Sequence, residues 1–409
     1  MSILSRLILF LFLLVTVFDP ADLITHLKVP LFVLIWFVFG LDLLFSSEPA
    51  GEISSALLKY ILCFSILLPA LSISLYILRN GLTAPYDGFQ YFKSYLFLAL
   101  AIIITLKKID LTPMLSFILT GLAGAAIVLF LFTYDNPAFS AYIWAVGDSY
   151  GFVTPASRSY ADLSYSYVYF YTSPLLVLSL AYFSYRTMTV QTRARYIYFA
   201  LLLVNILGML VSGPRNNLVF GIVTPLLVLT WYSTKRQRLI LIALFFLIAV
   251  VAASHGTDIV GAMLDPENES NAIKLAHLHD YEILFRNPMT LLFGQGLGSY
   301  FFATGFGYRT SITELTYLEF IRNFGLPIAL IYYALLLYPL TRLLDRTFAA
   351  SHYLILAYGC YLLICLSNPL LLSSSGMLVL AIVLCRALPT TESLRIPVGN
   401  PVTQEGAVF

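Results

Sequence analysis

The feature that most narrows what this chain can fold into is its succession of long apolar runs. Residues 113–134, for example, contain no charged side chain, and roughly 20 apolar residues suffice to cross the hydrocarbon core of a bilayer. In lipid a lone segment must bond its own backbone groups, so such runs are read as helices. Composition points the same way: of 409 residues 60% are hydrophobic and 11% charged, with mean hydropathy +0.87. A soluble domain carries about 25% charge. This balance excludes a soluble enzyme, a nucleic-acid binder and a disordered scaffold. The expected class is all-α: a polytopic integral membrane protein, residues 1–409 forming a single membrane domain.

Hydropathy divides the chain into twelve expected spans: 5–18, 29–46, 55–78, 91–106, 113–134, 165–185, 196–212, 217–233, 239–254, 313–340, 351–369 and 370–387. Two longer polar stretches separate them, 135–164 and 255–312. The first run follows Arg6 but ends on Asp19-Pro20 with no small-residue cleavage site, so it reads as an uncleaved span. Cys63, Cys360, Cys365 and Cys385 all lie in apolar stretches without a CxxC, as small buried hydrophobes do.

Net charge is +2, so position must carry the information. With the N-terminus inside, thirteen cations (Arg6, Lys107, Lys108, Arg186, Arg193, Arg195, Lys235, Arg236, Arg238, Arg342, Arg346, Arg386, Arg395) fall in inner loops. Seven (Lys28, Arg79, Arg158, Arg215, Lys274, Arg286, Arg309) fall in outer ones. The positive-inside rule then puts both termini in the cytoplasm and both long loops, 135–164 and 255–312, on the outer face. Lys28 and Arg79 are expected to snorkel to the interface.

The other outer cations keep more suggestive company. Ser270 or Asn271 can cap a helix over 272–285, ended by Asn287-Pro288, on which Lys274, His277 and Tyr281 share one face. A solvated surface helix is the plain alternative. Phe293-Gly294-Gln295-Gly296-Leu297-Gly298-Ser299 lacks the Lys-Ser/Thr of a phosphate loop and reads as tight turns. Glu319 and Arg322, at i and i+3, can neutralise each other as the tenth span enters lipid. Glu314 has no such neighbour and shares its side of the helix with Tyr317. Ser212-Gly213-Pro214-Arg215 sets a guanidinium in a short outer turn, at the depth of lipid phosphates. Arg158 precedes a tyrosine-rich segment (Tyr160, Tyr165, Tyr167, Tyr169, Tyr171), read first as an interfacial belt and second as a surface for stacking sugars. No HExxH, DxD, GxSxG or Walker motif occurs, so metal and nucleotide chemistry have no support and no cofactor is expected. Cations with a carboxylate and an imidazole fit a phosphate-bearing lipid substrate.

These segments resemble the O-antigen polymerase and O-antigen ligase superfamily of bacterial envelope enzymes. Ser212-Gly213-Pro214-Arg215 is similar to its Ser-Gly-x-Arg turn. Lys274, His277, Asn287-Pro288 and the glycine run look like its large periplasmic loop, and Glu314-Leu315-Thr316-Tyr317-Leu318 with Gly325 like the following span. The likeness covers roughly 155–340. Ligases usually have Arg at the place of Lys274 and His at that of Glu314, so the polymerase branch is the closer match.

The resemblance implies an inner-membrane glycosyltransferase that joins undecaprenyl-diphosphate-linked repeat units at the periplasmic face. Arg158, Arg215 and Lys274 would stabilise the leaving diphosphate, Glu314 would act as base, His277 would orient phosphate or act as the alternative base, and Tyr317 would line the substrate site. It also implies a lipid-linked oligosaccharide and polysaccharide as partners, with a chain-length regulator beside the enzyme and no nucleic acid. A ligase is the nearest alternative. A secondary transporter or lipid-linked-sugar flippase is the rival from another class, although no internal repeat is visible.

Overall fold

A computed structural model of the chain describes residues 3–45, 53–81, 86–160, 163–243, 246, 265, 268–344 and 352–388. Helices α1 (Ile3–Phe18), α2 (Lys28–Phe45), α3 (Ser55–Asn80), α4 (Gly88–Leu106) and α5 (Thr112–Tyr134) come first. The expected outer loop 135–164 is largely ordered, as α6 (Pro137–Tyr150) and the hairpin β1 (Val153–Tyr160) and β2 (Leu163–Phe170). Then follow α7 (Leu176–Thr189), α8 (Ala194–Val211) and α9 (Arg215–Tyr232). The second loop holds α10 (Glu269–Phe285), α11 (Pro288–Phe293) and a small hairpin, β3 (Phe301–Ala303) with β4 (Tyr308–Thr310). Helices α12 (Thr316–Phe324), α13 (Leu326–Leu344), α14 (His352–Ile364) and α15 (Ser374–Ala387) close the described chain.

The chain is mostly helical and membrane-embedded. Among the described residues six helices, α2, α3, α4, α5, α8 and α13, are long and apolar enough to cross a bilayer, and α1, α14 and α15 are shorter apolar helices. Two expected spans need correction. The run 165–185 begins as a strand, and its helix starts only at Leu176. Tyrosine at every second position from Tyr165 to Tyr171 is strand patterning inside an apolar stretch. The run 313–340 is broken at Gly325, whose φ of +78° ends α12, with Pro327 in the first turn of α13. The expected span 239–254 lies mostly outside the described residues, as do 255–264, Arg346 and Arg395.

Packing explains the order of the helices. Every residue from Leu176 to Ser184 on α7 is buried, so this helix is apolar on all sides and forms the centre, touching α5, α8, α9 and α14. Buried polar groups stitch it in place: Ser179 donates to the Asn205 amide oxygen (2.6 Å), and Asn205 donates to Thr120 (2.8 Å), joining α7, α8 and α5. Gly208 lets α8 approach α5 so closely that an added Cβ would sit 2.4 Å from the Ala123 methyl. A π-helical turn at Leu62–Leu67 precedes Pro69 in α3, where the missing N–H and the ring disturb the regular ladder.

The hairpin β1–β2 pairs Val153 with Phe170 through to Tyr160 with Leu163, and buries Val153, Val168 and Phe170 in the core. At the other end of the bundle Lys107 pairs with Asp42 (2.7 Å) and Arg386 with Asp110. Lys28 does not snorkel: it is buried and its ammonium donates to the Pro20 carbonyl. Arg79 does not reach outward either, donating instead to the carbonyls of Gly294 and Met289 and so docking the second loop on the end of α3.

Candidate functional site

The second loop is held down by a buried ion pair. Glu319 and Arg322 are both 0% exposed, with a carboxylate oxygen 2.6 Å from a guanidinium nitrogen. Tyr281 of α10 donates to Glu319 (2.6 Å), and so does the backbone N–H of Thr313 (2.8 Å). Arg322 donates to the Ser299 carbonyl and hydroxyl (2.8 and 2.7 Å) and to the Ser311 carbonyl (2.6 Å). Charges this deeply buried survive only when paired and fully hydrogen-bonded. The pair read from i, i+3 spacing is therefore the anchor of the loop. Burial, with the Glu319 carboxylate beside it, pushes the Tyr281 hydroxyl far above its ordinary value and keeps it a donor.

The glycine run is the second anchor. Gln295 and Gly296 donate backbone N–H groups to the carbonyls of Arg322 and Asn323 (2.5 and 3.2 Å). A Cβ on Gly296, at φ +94°, would lie 2.4 Å from the Tyr76 Cβ. These glycines are tight turns that let two backbones touch.

With the loop fixed, α10 presents one face inward. It begins one turn earlier than capping residues suggested, with Asn268 as N-cap in place of Ser270 or Asn271, and it ends at Phe285. Asn271, Lys274, His277 and Tyr281 line the inward side. Lys274 and Glu314, distant in sequence, meet at 3.7 Å with their side chains 30% and 41% exposed. Glu314 thus has a partner. It stands in the turn before α12 and not on a spanning helix.

His277 is sealed. It is buried, and neither ring nitrogen has a hydrogen-bond partner among the described residues. Phe306 packs edge-on at 4.4 Å, and a Cβ on Gly305 would come within 2.9 Å of Nε2. Asp280 holds this turn in place, accepting from the Thr304 N–H and hydroxyl (2.7 and 2.5 Å). Burial pulls the imidazole below its ordinary value, against the raising influence of Glu314, Asp280 and Glu319.

Arg215 is used differently from expectation. Gly213, at φ +85°, lies against the Tyr167 ring, where any Cβ would come within 2.1 Å. This turn aims Arg215 at α10, and its two terminal nitrogens donate to Asn271 (2.7 Å) and Asn268 (2.8 Å). It thereby ties the turn at Gly213 to the first turn of the helix that carries Lys274. Tyr317 is likewise engaged: its hydroxyl donates to the Leu362 carbonyl (2.9 Å), and its own carbonyl accepts from Tyr333. The phenol thus fixes α12 to α14. Arg158 stands opposite Tyr165 in the hairpin register, but its side chain lies outside the described residues.

The structure adds neighbours that sequence reasoning did not single out. Asn368 donates to the Tyr169 hydroxyl (2.7 Å) and accepts from Thr316 at its carbonyl (2.8 Å). Asn216 donates to Ser367 (2.7 Å). Burial, with Glu314 contributing, raises the Tyr169 hydroxyl above its ordinary value. Tyr167 and Tyr169 therefore pack inward on the turn at Gly213 and on Asn368, and are not members of an interfacial belt. Asn271 was legible one turn before Lys274; Asn368 carries no local signal.

The fold and these contacts define a helical membrane-embedded protein with a polar, half-open cluster beneath an ordered loop. No protein-family model matches the chain, and no curated protein matches it.

Proposed function

We propose that this protein is a polysaccharide polymerase that joins lipid-diphosphate-linked repeat units by glycosyl transfer, at a site built around Lys274 and Glu314. The observation carrying this reading is the partly exposed Lys274–Glu314 pair, 3.7 Å apart, with the buried His277 on the same helix face as Lys274. Its likeness to the O-antigen polymerase branch supplies the substrate class, undecaprenyl diphosphate carrying a glycan, and the expected inner-membrane location with the loop on the periplasmic side.

In this reading the donor's diphosphate displaces Glu314 from Lys274. The ammonium then faces the phosphate oxygens, where negative charge develops as the C1–O bond breaks. The freed carboxylate takes the proton of the incoming sugar hydroxyl while that oxygen bonds to C1, and the diphosphate lipid leaves with the bonding pair. Arg215 serves by fixing the start of α10 through Asn268 and Asn271. The twelve-span topology, with both termini cytoplasmic, belongs to this proposal, and a chain-length regulator is its expected partner.

The test is made in cells. Lys274→Ala and Glu314→Gln, at unchanged protein level, should leave single repeats where the parent gives a ladder of long chains. A ligase defect would instead accumulate lipid-linked polymer. Unchanged ladders in both variants would refute the assignment.

A further inference from the structure

The helix α11 (Pro288–Phe293) exposes an apolar face with no partner among the described residues. Met289 is 59% exposed, Leu292 47% and Phe293 46%, while Thr290 is turned inward and buried. In a loop facing only water, so short a helix has no reason to show three large apolar side chains on one side.

What lies next to this face identifies its occupant. The carbonyl end of α11 is fixed by Arg79, at the last turn of the spanning helix α3. The same end abuts Gly325, immediately before the spanning helix α13, so closely that a Cβ there would lie 2.2 Å from the Leu292 carbonyl oxygen. Leu78 on α3 and Leu330 and Ile331 on α13 are also exposed, so both spanning helices that α11 touches carry apolar side chains with no cover among the described residues. Arg286, 70% exposed in its side chain, stands just before the helix and holds Glu282 at 2.7 Å, an exposed pair that a lipid phosphate can replace.

We infer that α11 is a bilayer foot: its Met289, Leu292 and Phe293 side chains lie among the acyl chains of the adjacent phospholipid leaflet, with Arg286 at the headgroups. The foot is rigidly joined to α10 through Asn287, whose side chain caps α11 by accepting from the Met289 N–H (3.0 Å). Gripping lipid, it holds Lys274 at a constant height above the membrane. The foot itself is independent of which reaction the site performs.

Tryptophan quenching in proteoliposomes tests this. Phe293→Trp and, as a second position, Leu292→Trp are compared with Leu330→Trp, on the lipid face of α13, and His279→Trp, on the outward side of α10. The signal of the native Trp36, Trp144 and Trp231 is subtracted using the parent protein. Lipid brominated near the top of the acyl chain should quench both foot positions about as strongly as Leu330→Trp and at least about twofold more than His279→Trp, with little quenching by iodide. Iodide quenching at the level of His279→Trp would show water at this face and overturn the inference. Protection from both quenchers would show a protein cover, such as a second copy, and would overturn it equally.

Discussion

Replacing Arg322 by methionine should release the second loop from the membrane core. The substitution keeps a long side chain but removes three arrangements at once: the ion pair to Glu319 at 2.6 Å, the bonds to Ser299, and the bond to the Ser311 carbonyl at 2.6 Å. Both members of the pair are 0% exposed, so the abandoned carboxylate cannot turn to solvent without opening the fold. Removing one partner of a buried pair costs about 3–5 kcal/mol. If that energy is lost from docking of residues 269–315, the open population rises by roughly two to three and a half powers of ten, at 1.4 kcal/mol per factor of ten. Limited proteolysis in detergent reads this population directly when opening is fast relative to cleavage. Cleavage within 269–315 should accelerate by about a hundredfold or more, while the helical bundle stays intact. The double variant Glu319→Gln/Arg322→Met should recover part of the protection, because no bare charge remains buried. Cleavage of Arg322→Met at the parent rate would show that this pair does not anchor the loop.

Other outcomes follow from the same contacts. Asn205→Leu removes the bonds that join α7, α8 and α5, leaving Ser179 and Thr120 only the Leu176 and Ser116 carbonyls of their own helices, and should cost about 1 kcal/mol, read as a lowered thermal midpoint in detergent. Gly208→Val forces α8 away from Ala123, and should lower the same midpoint by more than Gly208→Ala does. For pH, His277 is buried and its folded value is depressed, so its contribution is complete above about pH 6.5 and is lost as pH falls through the lower folded value. Loop protection should therefore weaken on acidification below that point, and His277→Phe should flatten the profile between pH 7 and 5; an unchanged profile would contradict the assignment.

Much of this architecture was legible from local pattern. Lys274, His277 and Tyr281 share a helix face by spacing alone, and all three do face inward. Glu319 and Arg322 were readable as a pair from i, i+3. The Gly325 break was also present in the sequence, since Leu326-Pro327 follows it, yet hydropathy averaged over that position hid it. The tyrosine alternation from 165 to 171 was hidden in the same way, because a window sensitive to total apolarity does not register period two. Long-range partners were not legible: nothing local to Arg215 announces Asn268 and Asn271, and Asn368 meets Tyr169 only through the packing of α14 and β2. A cation's sequence neighbourhood suggested substrate phosphates for Arg215, whereas its folded neighbourhood supplies two amide oxygens.

In the proposed reaction Lys274 and Glu314 act together on a lipid-linked glycan. The most direct measurement uses the purified protein in detergent, with no compartments and hence no transport to observe, supplied with a polyprenyl-diphosphate-linked repeat unit. Products longer by whole repeats, still attached to lipid, are expected from the parent and should be lost in Lys274→Ala and in Glu314→Gln. Absence of elongation by a folded parent protein, or equal elongation by both variants, would contradict the proposed reaction.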